Sequence, residues 1–227
     1  MAVSESGSPE STAGSAQALL LAADGIEKSF GRGWWPGRPR TPVLRGAELV
    51  LRPGEVVGLA GENGSGKSTL MKILVGDLRA DAGSVRRPRR LGYCPQQPVV
   101  YDRLTCDEHF ELFGRAYRMS PEVAHRSRGH LYAALGFERY AGTRADRLSG
   151  GTLAKLNLGL ALLADPEVLL LDEPYAGFDW DTYLRFWEIV AQRRQAGRSV
   201  LIISHFVADE QRFDRIVDLR EGRTVPR

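Results

Sequence analysis

An α/β fold, a mainly parallel sheet covered by helices, is predicted by three features of the sequence. Short apolar strands alternate with helical patterns along most of the 227 residues, the arrangement that builds parallel sheets. Glycine-rich GENGSGKST, residues 61–69, stands between a predicted strand and a predicted helix. VLLLDE, residues 168–173, is an apolar run that ends in two carboxylates, as expected of a buried strand whose end reaches a polar site.

The elements follow in order. Residues 1–17 are small, polar and acidic. They lack the basic start and apolar middle of a signal peptide and read as a disordered tail before one domain over 18–227. Residues 18–30 form a first strand region, and GRGWWPGRPRTP after it is a loop by its Gly, Pro and Arg content. Strands are expected at 43–51 and 55–60, with the RPGE turn between them. Residues 67–75 read as a helix with Leu70, Ile73 and Leu74 on one face. SVRRPRRLGYC, residues 84–94, reads as a pair of strands joined by a basic turn.

Thr105 opens a capping box with Glu108, and Ser120 precedes Pro121 at a first helical position. Residues 139–147 are polar and loop-like. Helices follow at 149–164 and from about 181 to 195, with strands at 168–173 and 199–205. A helical insert thus interrupts the sheet from about 98 to 147, and with the helix after it forms a helical subdomain over about 98–164. No internal repeat is visible.

Composition narrows the function. The formal net charge of +3 gives little support for a nucleic-acid partner, and the excess of arginine over lysine reads as codon bias. Cys94 and Cys106 form no CxxC pair and have no histidine at ligand spacing, which argues against a disulfide framework or a zinc site and fits two reduced thiols in a cytosolic protein. No apolar run reaches the roughly 18 residues that span a bilayer, so any membrane is reached through a partner.

Gly61 to Ser68 fits GxxxxGK[ST] at every required position. Gly61, Gly64 and Gly66 permit backbone angles that aim successive N–H groups at an anion. Lys67 suits the β- and γ-phosphates, and the Ser68 hydroxyl suits Mg²⁺. Asp172 is placed to hold that Mg²⁺ through water, and Glu173 to orient and polarise an attacking water; the competing role, two acids capping a turn, is disfavoured by the intact P-loop. No NKxD-type element specifies guanine. Phe30, at a strand end, is placed to stack on adenine, with a plain core phenylalanine as the alternative.

These residues resemble the nucleotide-binding subunit of ATP-binding cassette (ABC) transporters from about Leu19 to Val225. GENGSGKST matches Walker A, so the resemblance assigns Gly61, Glu62, Asn63, Gly64, Ser65, Gly66, Lys67, Ser68 and Thr69 to ATP. VLLLDE matches Walker B with its catalytic glutamate. GYCPQQ puts Gln96 at the glutamine loop, LSGGT matches the signature LSGGQ, AGFD puts Asp179 at the D-loop, His205 matches the switch histidine, and Phe30 the aromatic A-loop.

What the resemblance implies is a P-loop NTPase with a mainly parallel sheet core, an N-terminal antiparallel β-subdomain and the inserted helices. Two cassettes pack head to tail, so Ser149, Gly150 and Gly151 bind the γ-phosphate held by a partner chain, as a homodimer or with a related chain. Gln96 lies near Mg²⁺ and ties the γ-phosphate to the helical insert; Lys67, Gln96, Glu173 and His205 are the catalytic set; Asp179 links the two sites. Ser68, Gln96 and Asp172 are the metal set. The implied cofactors are ATP and Mg²⁺, the implied partner a separate integral membrane permease, and the implied place the cytoplasmic face of the membrane.

Two residues depart from the pattern. Thr152 replaces the signature glutamine, and Tyr175 follows DEP where a small or hydroxyl residue is common. Two other functions compete with transport. One is a soluble ABC protein acting on ribosomes or DNA, disfavoured by a single cassette without coiled-coil or zinc insertions. The other is an ordinary P-loop kinase or GTPase, disfavoured by LSGG with Gln96 and His205. Compact form leans towards export. Trp34 and Trp35, amid Arg32, Arg38 and Arg40, suit lipid headgroups or, more simply, a hairpin tip folded back on the domain.

Overall fold

A computed structural model describes residues 20–31, 40–204 and 210–227. The N-terminal tail, the Trp34–Trp35 loop and His205 lie outside the described residues.

Nine strands and five α-helices follow each other as β1 (Leu21–Phe30), β2 (Thr41–Leu51), β3 (Val56–Ala60), α1 (Lys67–Val75), β4 (Ala82–Arg86), β5 (Leu91–Cys94), α2 (Cys106–Ala116), α3 (Pro121–Leu135), α4 (Gly150–Leu162), β6 (Val168–Asp172), α5 (Trp180–Gln195), β7 (Ser199–Ile203), β8 (Arg215–Arg220) and β9 (Arg223–Pro226) among the described residues. The main sheet has the order β5-β6-β7-β3-β8-β9. All its neighbours run parallel except β9, which turns back on β8. A second, antiparallel sheet has the order β2-β1-β4. The chain is therefore α/β with an N-terminal antiparallel sheet, as expected.

Strands β3, β6 and β7 are buried at every residue, which explains their unbroken apolar sequences: helices or the second sheet cover both faces. Alternate residues serve opposite cores. Leu169 and Leu171 face a core built with Phe110, Leu135, Leu156 and Phe186 from α2 to α5. Val168 and Leu170 face another, built with Leu70, Met71 and Leu74 of α1 and with Leu21, Ile26 and Leu49. Each such side chain contributes about 1.5–3 kcal/mol of burial before entropy is counted.

Helix ends behave as their sequences require. At α2 the Thr105 hydroxyl accepts from Glu108 N at 3.2 Å while Thr105 N donates to the Glu108 carboxylate at 2.7 Å. Ser120 caps α3 with Pro121 in its first turn. The two cysteines are buried and unpaired.

One expectation needs correction. Residues 84–94 hold two strands, but they do not pair with each other: β4 joins β1 and β5 joins β6, in different sheets. The basic turn between them serves α1 instead, since Arg87 donates from Nε to Leu74 O at 2.7 Å and from Nη2 to Ile73 O at 2.6 Å, satisfying carbonyls at the helix C-terminus. The β8–β9 hairpin was not anticipated at all.

Candidate nucleotide site

β3 and β6 flank β7 in the sheet, so the Gly61–Gly66 loop and the Asp172–Glu173 pair leave the same sheet edge, at the carboxyl ends of parallel strands where ligands bind. Gly61, Gly64 and Gly66 all have positive φ. Gly61 is also crowded: a Cβ there would fall 2.5 Å from Leu219 O and 2.9 Å from Ser65 Oγ. Gly66 precedes α1 with no side-chain cap, which leaves first-turn N–H groups of α1 open to an anion. Ser65 Oγ is buried without a hydrogen-bond partner among the described residues.

Lys67 folds back over its own loop, with Nζ donating to Gly61 O at 2.6 Å and to Glu62 O at 2.8 Å. Burial lowers its pKa, and the Glu173 and Asp172 carboxylates act in the opposite direction. A loop that places a lysine and the N–H groups of a helix start round one concavity suits a polyphosphate.

That concavity, of about 610 Å³, brings together Phe30, Asn63, Gly64, Gly66, Lys67, Ser68, Thr69, Gln96, Asp172 and Glu173. Gln96 Nε2 donates to Glu173 Oε2 at 3.0 Å. Phe30 is 45% exposed on its wall, with Lys28 Nζ 5.7 Å from the ring centroid; it is not a core residue. Gly61, Glu62 and Ser65 line an adjoining cavity on the β8 side of the loop.

Ser68, Gln96 and Asp172 present an all-oxygen donor set, which fits Mg²⁺. Among the described residues no three His, Cys, Asp or Glu side chains could hold a metal unaided. With one carboxylate in the set, a hard cation here would complete its coordination with waters or phosphate oxygens, the usual habit of Mg²⁺.

Glu173 has φ 50°, an uncommon left-handed conformation for a non-glycine residue. The turn that carries it is anchored to β7: Glu173 N donates to Ile203 O at 3.0 Å, and the Tyr175 hydroxyl donates to Ser204 Oγ. The Tyr175 ring packs edge-on against Tyr183 and Phe186 of α5. Tyr175 thus has a structural role that the sequence did not disclose.

Ser149, Gly150, Gly151 and Asp179 do not line the 610 Å³ cavity. Ser149 caps α4, with Oγ accepting from Thr152 N at 3.3 Å and lying 2.9 Å from Thr152 Oγ1. Thr152 is buried and so engages the signature serine of its own chain. Asp179 caps α5, accepting from Thr182 N at 2.7 Å, and the Thr182 hydrogen bonds hold its carboxyl below the usual range.

The two signature glycines differ. A Cβ on Gly151 would sit 2.8 Å from Gly177 O in the AGFD turn, so Gly151 is needed for close packing. Gly150 has open space around its Cβ position and no positive φ, so nothing among the described residues requires a glycine there. One further residue was missed. Asn157 of α4 donates from Nδ2 to Pro95 O at 2.8 Å and to Cys94 Sγ at 3.2 Å; its signal was a single amide inside the apolar run AKLNLGLALLA.

With this geometry, comparison with known proteins is decisive. A family model described as ABC transporter matches residues 44–176, which hold the phosphate loop, Gln96, Ser149 and Glu173. The chain belongs to the ABC transporter family. It is an ATP-binding cassette of the P-loop ATPase fold. Nod factor export ATP-binding protein I of Burkholderia lata is 34% identical over 196 residues, 81% of this cassette and 64% of that protein. Mouse ATP-binding cassette sub-family A member 17 is 31% identical over 202 residues, 83% of this cassette and 12% of that protein. The cassette therefore spans less than two thirds of either relative. A dimeric cassette solved in a post-hydrolysis state with ADP and Pi shares the fold, with a TM-score of 0.81 and 23% identity, covering 90% of this chain and 96% of that one. Among the described residues no helix is long and apolar enough to cross a membrane.

Proposed function

We propose that this cassette hydrolyses ATP between two chains packed head to tail and drives a separate integral membrane permease, in the direction of export. One observation carries the reading. The cavity at the phosphate loop gathers Lys67, Ser68, Gln96, Asp172 and Glu173 without Ser149, Gly150 or Gly151, while Gly150 keeps open space that its own fold does not use. A second phosphate-binding helix start, displaced from the first, suits a nucleotide held by another chain.

In this scheme Phe30 stacks on adenine and the loop from Gly61 to Thr69 holds the phosphates. Lys67 leaves the carbonyls of Gly61 and Glu62 for the β- and γ-phosphate oxygens. Ser68, Gln96 and Asp172 would hold Mg²⁺, which neutralises phosphate charge when bound. Glu173 orients the attacking water and accepts its proton, once Gln96 has exchanged the Glu173 carboxylate for the γ-phosphate. His205 contacts the same phosphate, Asp179 links the two sites, and Ser149 with the Gly150 and Gly151 N–H groups completes the site from the partner.

Charge-assisted hydrogen bonds of about 1.5–3 kcal/mol each favour the closed dimer with ATP, and loss of the γ-phosphate removes them. The exporter direction is supported by the export named for the Burkholderia relative; the permease would hold the chain at the cytoplasmic face of the membrane. Glu173→Gln tests the scheme. It is expected to bind ATP, turn over at under about 1% of the normal rate and accumulate as a dimer by light scattering. A monomer at saturating ATP, with the permease present, would contradict it.

A further inference from the structure

We infer that Asn157 is a positioning residue for Gln96, fixing the root of the Gln96 loop to the same helix that Ser149 caps. The inference rests on the proposed role of Gln96 and goes beyond it by naming what holds that side chain in place.

Asn157 is buried in the middle of α4. Its amide donates to Pro95 O, the carbonyl immediately before Gln96, at 2.8 Å, and to Cys94 Sγ at 3.2 Å. β5 and α4 are in close backbone approach: a Cβ on Gly92 would fall 2.3 Å from Ala161 O. The strand leading to Gln96 is therefore seated on α4, and Asn157 holds its last residues.

A buried amide in an apolar helix is costly unless bonded, and here its bonds end on the backbone that aims Gln96 at Glu173 Oε2, 3.0 Å away. The same helix begins at Gly150, seven residues earlier, or about 10 Å along its axis. Displacement of the Gln96 loop root and of the signature turn is thereby shared by one rigid element. A side chain that only filled space would need no amide at this position.

The test compares Asn157→Leu, Gln96→Ala and the double variant in the full chain, reading kcat for ATP, ADP affinity and Tm. Asn157→Leu is expected to lower kcat about three- to tenfold and to leave ADP affinity within about twofold, because ADP lacks the phosphate that Gln96 senses. In the Gln96→Ala background it is expected to add no further loss. Equal losses in both backgrounds, or ADP affinity falling with kcat, would overturn the inference. Turnover lowered by Gln96→Ala and unmoved by Asn157→Leu would overturn it alone; turnover unmoved by Gln96→Ala would overturn the Gln96 role as well. Asn157→Ala, which creates no larger side chain, replaces Asn157→Leu if the latter does not fold, with the same expected results.

Discussion

Gly150 and Gly151 are adjacent, yet they should respond oppositely to a single methyl group. At Gly151 the new Cβ lies 2.8 Å from Gly177 O, against an ordinary contact of 3.4–4 Å. The atom opposed is backbone, so the α4 turn and the AGFD turn must separate by about 0.2 Å to relieve the clash and about 0.6 Å to restore ordinary contact. Such overpacking costs about 1–3 kcal/mol, and alanine's advantage over glycine in a helix returns about 0.5–1 kcal/mol of it. The net loss, up to roughly 2.5 kcal/mol, lowers Tm by up to about 10 °C for a domain of this size. At Gly150 none of the described residues lies within 4 Å of the Cβ position, so Gly150→Ala should keep or slightly raise Tm. It should nevertheless reduce ATP turnover more than about tenfold, because the methyl blocks a phosphate approaching the first N–H groups of α4. Differential scanning calorimetry and a phosphate-release assay read the two quantities. Equal Tm changes would refute the packing account, and full turnover in Gly150→Ala would refute the idea that an outside ligand uses that space.

Two other outcomes are expected. Ser149→Arg should leave ATP binding to the isolated chain within about threefold, because Ser149 stands outside the cavity, yet abolish turnover; collapse of binding would place the serine in the site of its own chain. For Glu55, burial acts to raise the pKa, but hydrogen bonds from Arg215 and Arg52 N and the charges of both arginines prevail and lower it. A depressed folded-state pKa gives stability that is complete above the unfolded value and is lost as pH falls through the folded one. Urea midpoints of the unaltered chain should therefore decline from about pH 6 to about pH 3 more steeply than those of Glu55→Gln; parallel curves would count against the pair.

Much of this was legible because local rules and global packing agree. The helix over 67–75 has the same bounds in the structure, since an apolar face lies between Gly66 and Gly76, both left-handed. The capping box at Thr105 and the proline after Ser120 worked as their hydrogen-bonding chemistry requires. Sheet membership was less legible. β4 and β5 look like a hairpin from 84 to 94, but pairing is a tertiary choice, and Arg87 is drawn to the end of α1. β8 escaped notice because Arg215, Asp218 and Arg220 break up its apolar residues, and β9 because it is only four residues long, although Glu221–Gly222 between them was a hairpin signal, with φ 48° and 77°. At the site, residues contiguous in sequence were easy to place. Links across elements, such as Asn157 to Pro95 or Tyr175 to Ser204, have no sequence period to betray them.

Two copies meeting across one nucleotide is the claim that most needs a direct measurement. Asn63 lines the phosphate cavity and Ser149 caps α4, while both native cysteines are buried, so new thiols at the two positions can be cross-linked selectively. Asn63→Cys and Ser149→Cys are introduced on separate Glu173→Gln chains, mixed, and treated with a short bifunctional maleimide with ATP, with ADP or without nucleotide. A heterodimer cross-linked only with ATP is the predicted result. No cross-link between chains under saturating ATP, with each thiol still reactive towards a monofunctional maleimide, would contradict the account.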